Sequence, residues 1–330
     1  MMGMILTLVK WAVGLAVLAW GTLALLDWIG PTEPADLTVD YDPAQVGADL
    51  DVWLAEQEGQ VANLRDNAAK EIVWAGEPGV QTPLSVVYIH GFSATKAELR
   101  PLPDMVAAAL GANLFLTRLP GHGRDSAAMG EPTVHDWMNA VAEALAVGAR
   151  LGERVIVMGN STGSTLAVAA AADSTLNAQM AGLVLMSPNF GAAGLKGRAI
   201  EWPLINSWGR LVIGDTYSFE PRNAGHAENW TTSYPFEAVA RLGALSHKVR
   251  NMDLGAMTVP AIFFVSNEDQ VIDPKLARRA SADWGAPSEL VPVVRVEGDD
   301  PGGHVLAGDI LSPNKTAPIA ERIVAWARGL

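Results

Sequence analysis

The sequence contains no cysteine. That excludes disulfides, thiolate-held metals and a cysteine nucleophile, and it leaves the compartment open. Positive charge is also short: 23 Lys and Arg stand against 36 Asp and Glu, a net charge of −13. No basic stripe is present to neutralise phosphates, which argues against a nucleic-acid partner. Sets of His and acids at metal-ligand spacing, such as H-E-x-x-H, are missing, so no metal is expected. Internal repeats and low-complexity tracts are missing too. What remains is a chain of 330 residues, 49% hydrophobic and 18% charged. Such a composition folds rather than staying disordered, and its length suits one large α/β domain or two small ones.

Long apolar runs are confined to the first thirty residues. Trp11 to Leu26 carries no charge, and the apolar character reaches back to Met4 with Lys10 the one interruption. Sixteen helical residues span about 24 Å, and a snorkelling Lys10 lengthens the segment toward a bilayer core. A cleaved signal peptide is the rival, but the best small-x-small site, Ala19-Trp20-Gly21, falls inside the apolar run. A buried helix of the main domain is the second rival, and the terminal position speaks against it. Residues 1–30 are therefore expected to be a transmembrane signal anchor. Lys10 precedes it, while Asp27, Glu33, Asp36, Asp40 and Asp42 follow. The positive-inside rule then places the rest of the chain outside the cytoplasm, in the periplasm if the source is bacterial. Residues 31–70 read as a linker, Pro31 to Pro43, and an amphipathic helix, Ala48 to Ala69. That helix has Leu50, Trp53, Leu54, Val61 and Leu64 at helical spacing and is expected to lie on the following domain.

From Glu71 the pattern alternates. Strands are expected at Glu71–Trp74, Leu84–Ile89, Leu114–Leu116, Arg154–Met158, Gly182–Met186, Ala261–Val265 and Leu290–Val294. Helices are expected at Thr95–Leu110, Val134–Leu151, from Leu166 to Ala172, at Lys275–Trp284 and at Ile319–Arg328. Continuous apolar strands between helices imply a mostly parallel sheet covered on both faces. In such sheets the site lies at the carboxyl ends of the strands. Those ends carry His90-Gly91-Phe92-Ser93, Arg118-Leu119-Pro120-Gly121-His122-Gly123, Gly159-Asn160-Ser161-Thr162-Gly163, Ser266-Asn267-Glu268-Asp269 and Gly302-Gly303-His304. A serine, a carboxylate and a histidine thus share one rim, in that chain order.

Over Glu71 to Leu330 the sequence resembles the α/β-hydrolase superfamily. G-x-S-x-G between strand and helix is its nucleophile elbow, and Ser…Asp…His is its triad order. HGFSA, RLPGHGRD and Val134-His135-Asp136-Trp137 look most like carboxylesterases and monoacylglycerol lipases. Asn160 departs from the common G-H-S-x-G, which bears on the sub-family and not on the mechanism.

The resemblance and the chemistry assign the same roles. Ser161 is the expected nucleophile, on a turn so tight that side chains at Gly159 or Gly163 would crowd the neighbouring strand and helix. His304 would take and return its proton, and Asp269 would hold the imidazole. The oxyanion would be held by the Thr162 N–H and, by resemblance, the Phe92 N–H. Asp269 competes with Glu268 and with Asp273, a possible N-cap before Pro274. Asp299 and Asp300 read as loop acids. His90 and His122 are structural by resemblance, and His135, His226 and His247 fall in helical or cap-like stretches. About seventy residues separate the strand ending at Met186 from the one near Ala261, too many for a loop, and a small helical cap is expected at about 190–255. Its Trp202, Trp208 and Trp230 are candidates for an apolar substrate pocket. The expected function is cofactor-free hydrolysis of small-molecule carboxylic esters with apolar acyl or aromatic groups. An amide, thioester or peptide hydrolase on the same fold and a non-catalytic binding module remain as alternatives.

Overall fold

The computed structural model describes residues 2–330, and among them nine strands form one seven-stranded sheet and a separate two-stranded one. The strands are β1 (Glu71–Val73), β2 (Thr82–Ile89), β3 (Asn113–Leu116), β4 (Gly152–Asn160), β5 (Met180–Met186), β6 (Thr216–Ser218), β7 (Ser233–Pro235), β8 (Ala261–Val265) and β9 (Ser288–Pro292). The helices are α1 (Met2–Ile29), α2 (Leu50–Gly59), α3 (Leu102–Leu110), α4 (Val134–Leu151), α5 (Thr162–Ala171), α6 (Gly194–Ala199), α7 (Ile205–Ile213), α8 (Ala224–Asn229), α9 (Phe236–Arg250), α10 (Pro274–Ala282) and α11 (Pro313–Ala327). The sheet order is β1-β3-β2-β4-β5-β8-β9. Only the edge strand β1 runs antiparallel to its neighbour.

The two faces of this sheet explain its unbroken apolar strands. Val87, Ile89, Phe115, Val155 and Val157 point to one side, into a core with Trp53 of α2, Trp137 and Val141 of α4 and Leu166 of α5. Their neighbours Val86, Tyr88, Leu114, Leu116, Ile156 and Met158 point to the other, against Leu102 and Val106 of α3 and Ile319 and Ile323 of α11. With both sides buried, the period-two alternation of a strand changes which helix a residue meets and not its polarity. The helix α4 begins with a capping box, in which Thr133 and Asp136 satisfy each other's amides.

Several boundaries differ from the sequence expectation. The helix expected from Thr95 is a 3₁₀ turn at Lys96–Glu98, and α3 starts only at Leu102. Pro101 disfavours helical geometry at Arg100 and supplies no amide. The helix expected over Ala48–Ala69 stops at Gly59, and Asn63 turns the chain with a positive φ of 54°. The last helix begins at Pro313 instead of Ile319, because Pro318 falls early enough to forfeit little of the ladder. The last strand lies two residues earlier than expected and ends at Pro292.

The segment 31–43 is extended and lies along α4. The Asp40 and Tyr41 amides donate to Asn139 Oδ1 at 3.0 and 3.2 Å, and Leu37, Val39 and Tyr41 pack on the first core. Before it, α1 has no buried side chain among those described, is exposed over most of its length and only partly covered at Leu23, Leu26 and Asp27, and is long and apolar enough to cross a membrane. Between β5 and β8 the chain forms the helices α6 to α9. It also holds the antiparallel pair β6–β7, which the sequence pattern did not suggest.

Candidate active site

Ser161 stands between β4 and α5 with φ 50° and ψ −114°. A non-glycine residue tolerates that backbone only where its surroundings enforce it. Here the Ser161 N–H donates to Met186 O at 2.9 Å, and its carbonyl accepts from the amides of Thr165 (3.1 Å) and Asn189 (3.3 Å). The Ser164 hydroxyl donates to Gly159 O at 2.7 Å. Both glycines are required by close approach. A Cβ on Gly159 would lie 2.5 Å from Ser164 N, and one on Gly163 would fall on the Ile89 carbonyl oxygen. Thr162 opens α5, where the first amides have no intrahelical acceptor and the helix dipole favours negative charge.

His304 and Asp269 meet at the ends of two later loops. The Nδ1–H of His304 donates to Asp269 Oδ2 at 2.9 Å, and Asp269 Oδ1 accepts from the amides of Val271 (2.8 Å) and Ile272 (3.0 Å). One carboxylate oxygen therefore orients the other, and the ring keeps Nε2 as its basic nitrogen. Burial disfavours the imidazolium, but the charge and hydrogen bond of Asp269, helped by Asp300 and Glu98, outweigh it and raise the His304 pKa above its usual 6.5. Ser161 and His304 are fastened to the same dipeptide. Met186 O accepts from Ser161, and the Ser187 hydroxyl donates to His304 O at 2.7 Å. The rival acids sit elsewhere. Asp273 caps α10 through the Lys275 amide at 2.9 Å, and Glu268 lies on the surface 3.3 Å from Arg295.

Phe92 follows β2, its ring edge-on to Tyr234, His122 and Trp137 at centroid distances of 5.2 to 6.0 Å. Beside it the Gly91 N–H donates to the buried Glu98 Oε2 at 2.7 Å, and the Tyr88 hydroxyl donates to the same oxygen at 3.0 Å. Burial raises the Glu98 pKa, opposed by the Gly91 amide, Tyr88, His304 and Asn160. His90 braces the loop, donating to Gly91 O at 2.8 Å and accepting from the Leu119 amide at 3.0 Å. Its burial pushes its pKa down to about 4, so it is neutral. Burial holds His122 neutral in the same way.

Sequence reasoning passed over Glu98, and it treated Asp300 as an ordinary loop acid. Glu98 stands three residues after Thr95, a spacing that reads as a capping box, yet its carboxyl turns inward to Gly91. Asp300 accepts from the amides of Gly302 (3.0 Å), His304 (2.9 Å) and Val305 (3.1 Å), fixing the loop that carries His304. The Asp-Asp-Pro-Gly-Gly composition signals a turn but not which amides it serves.

The three tryptophans of the expected pocket fall in two places. Trp230 is buried with Val305 and Leu306, its ring edge-on to His226 at 4.6 Å. Trp202 and Trp208 pair at 6.1 Å, and the Trp202 indole donates to Asp27 near the end of α1 at 2.8 Å. A cleft of about 600 Å³ opens between the 31–70 segment and α4, lined by Tyr41, Lys70, Arg118, Arg124 and Glu143 among others. Ser161, Asp269 and His304 are not in its lining.

A mostly parallel sheet with its site at the strand ends and a serine on a strained strand–helix turn defines a class, the α/β hydrolases. Residues 86–316 match the alpha/beta hydrolase family, and the chain belongs to it. A thermostable monoacylglycerol lipase from Bacillus sp. (strain H-257) is 29% identical over 196 residues, 58% of this chain and 73% of that protein. Among solved structures, one from a study of two metagenome-derived lipolytic enzymes superposes with a TM-score of 0.64 at 21% identity, covering 81% of this chain and 100% of that one. A soluble variant of monoglyceride lipase from Saccharomyces cerevisiae does so at 0.60 and 14% identity, covering 80% and 92%.

Proposed function

We propose that this chain is a membrane-anchored serine hydrolase that cleaves carboxylic esters of apolar acyl or aromatic groups through an acyl-enzyme. The observation that carries the reading is the 2.9 Å pairing of His304 with Asp269, fastened through Met186-Ser187 to a serine in a strained elbow. The lipase-type relative and structural neighbours support it at the level of reaction class.

In this reading His304 Nε2 takes the Ser161 proton as Oγ attacks the ester carbonyl. The oxyanion is held by the amides of Thr162 and Phe92, a pair whose individual members are typically worth about 100- to 1,000-fold in rate. His304 then protonates the departing alkoxide, and Asp269 stabilises the imidazolium formed between the steps. Water repeats the sequence on the acyl-enzyme. No cofactor takes part. The helix α1 holds the domain at a membrane, on its extracytoplasmic side by the distribution of Lys10 and the acids after it.

Hydrolysis of p-nitrophenyl esters from acetate to long acyl chains by the full chain in detergent, beside Ser161→Ala, tests the reading. Turnover lost in the variant is the expected result. A folded protein that neither turns over any ester nor reacts with a fluorophosphonate would overturn the nucleophile. Labelling without ester turnover would move the chemistry to amides, thioesters or peptides.

A further inference from the structure

We infer that the α6–α7 side of the cap is a membrane-contact surface, pressed onto the same bilayer that α1 crosses and taking bilayer-resident lipid esters from it. The inference rests on the anchor and ester-hydrolase readings above and adds what the cap is for.

The first observation is how α1 ends. Its apolar stretch from Met4 to Ile29 has 26 residues, about 39 Å of helix against a hydrocarbon core of about 30 Å. Trp11 and Trp28, both exposed, are separated by about 26 Å along it, the spacing of indoles at two interfaces. The chain then has no slack before it meets the cap. The Asp27 carboxylate accepts from Trp202 Nε1 at 2.8 Å and pairs with Arg198. The Thr32 hydroxyl accepts from the Leu204 amide at 2.9 Å. Glu33 accepts from Asn206 Nδ2 at 2.6 Å and faces Arg241 at 3.4 Å. Gly30 packs so closely on His247 that a Cβ there would lie 2.8 Å from Nε2. Contacts at 27, 30, 32 and 33 clamp the membrane-exit point to α6, α7 and α9, so the cap stands at headgroup level.

The second observation is what the cap exposes there. Leu195, Leu204, Leu211 and Val212 are 57, 62, 87 and 74% exposed. Among the described residues, Leu195, Leu204 and Leu211 are the only exposed leucines outside α1. Leu204 is itself one of the clamped residues, so the apolar patch begins where the span ends. On α7 the inward side is apolar too: Ile205 and Phe236 pack together, and Gly209 sits against Phe236. Such a helix has one apolar side for the protein and another with no protein against it. Of the bases in residues 194–213, Arg198 pairs with Asp27 and Arg210 with Glu237, while the acid Glu201 is buried on Arg250, so the segment's charges are largely paired within the protein and its exposed character is set by the leucines. Exposed leucines on a helix clamped beside a membrane anchor fit the boundary of apolar chains and headgroups. A soluble partner or a second copy would not need the clamp.

The absence of cysteine makes the test direct. The full chain carrying Leu211→Cys, modified with a nitroxide, is reconstituted into vesicles of phosphatidylcholine and phosphatidylglycerol. Relaxation by oxygen, which partitions into lipid, is compared with relaxation by a water-soluble nickel chelate. Val80→Cys, an exposed site in the turn before β2, serves as the aqueous control. Oxygen-dominated relaxation at 211 and nickel-dominated relaxation at 80 is the expected result. Nickel-dominated relaxation at 211 overturns the inference, as does shielding from both agents with spin coupling between copies. The triple variant Asp27→Ala, Thr32→Ala, Glu33→Ala removes the three side chains of the clamp. It is expected to make position 211 nickel-accessible and to slow turnover of a vesicle-borne long-chain ester about ten-fold, through loss of effective concentration, with a water-soluble short ester unaffected. An equal loss on both esters overturns the clamp's role. The relaxation measurement needs no activity, so failure of the esterase reading and failure of this one remain distinguishable.

Discussion

The rim of the sheet and the cap above it are built in opposite ways. On the rim, buried acids are fastened by backbone amides: Asp269 by two, Asp300 by three, and Glu98 by Gly91. Each holds a loop in a geometry that the sheet register then makes reproducible. On the cap, α6 and α8 are six residues long, leucines face outward, and the polar contacts of α6 and α7 reach to α1, to Glu33 just after it and to α9 instead of the sheet. Chemistry is thus placed on the part that cannot move without losing buried hydrogen bonds. Contact with the surroundings is placed on the part whose fastening lies outside the sheet.

Substitutions on the rim are expected to be severe. Ser161→Ala should reduce kcat by about a million-fold with the circular dichroism unchanged, and residual turnover near the wild-type level would refute the nucleophile. Asp269→Asn should cost about ten-thousand-fold in kcat and should also move the pH profile. The base works as the neutral ring, so the wild-type rate should rise through a pKa above 6.5, because Asp269 and its neighbours raise it against burial. Without the Asp269 charge that limb should shift to lower pH. A wild-type limb at or below 6.5 would contradict the geometry. The neighbouring Asp273→Asn sharpens the contrast, since Asp273 only caps α10. It should cost about 1 kcal/mol or less of stability and leave kcat alone.

Glu98 lies between these extremes. Glu98→Ala leaves the Gly91 N–H buried and unpaired, at a cost of about 1–3 kcal/mol. It should lower kcat by about 10- to 100-fold through misplacement of the adjoining Phe92 amide, with KM little changed. Glu98→Gln keeps an acceptor for Gly91 and should recover most of the rate. Thermal unfolding beside steady-state kinetics separates the two effects, and an alanine variant with lowered Tm but unchanged kcat would make Glu98 purely structural.

The difference between the two regions also explains what could be read from the sequence. The sheet was legible because continuous apolar strands such as Val86–Ile89 and Ala261–Val265 have few alternative fates, and both are buried as expected. Ser161, Asp269 and His304 were singled out by the rule that sites lie past strand ends; Ser161 follows β4, Asp269 follows β8 and His304 lies in the loop after β9, and their catalytic role is the proposal made above. Glu98 was not legible because its role depends on a side chain turning seven residues back to Gly91, and its spacing from Thr95 has a commoner local meaning. The β6–β7 pair was hidden because three-residue strands such as Thr216–Ser218, exposed throughout, carry no periodic signal. The clamp was invisible for a different reason: Asp27 and Trp202 are 175 positions apart, and neither belongs to a motif.

The smallest expected effect falls on the cap. Leu211 projects into solvent in the protein alone, so Leu211→Ser removes almost no buried surface, and in detergent-free buffer the unfolding free energy should change by no more than about 0.5 kcal/mol. The equivalent truncation on the rim side, Leu166→Ala on the elbow helix α5, removes a fully buried side chain and should cost about 2–5 kcal/mol. Denaturant titration of both variants compares them directly. A large destabilisation by Leu211→Ser would mean that the leucine is held by the protein and not by its surroundings, and the contrast between rim and cap would fail at the residue where it is drawn most sharply.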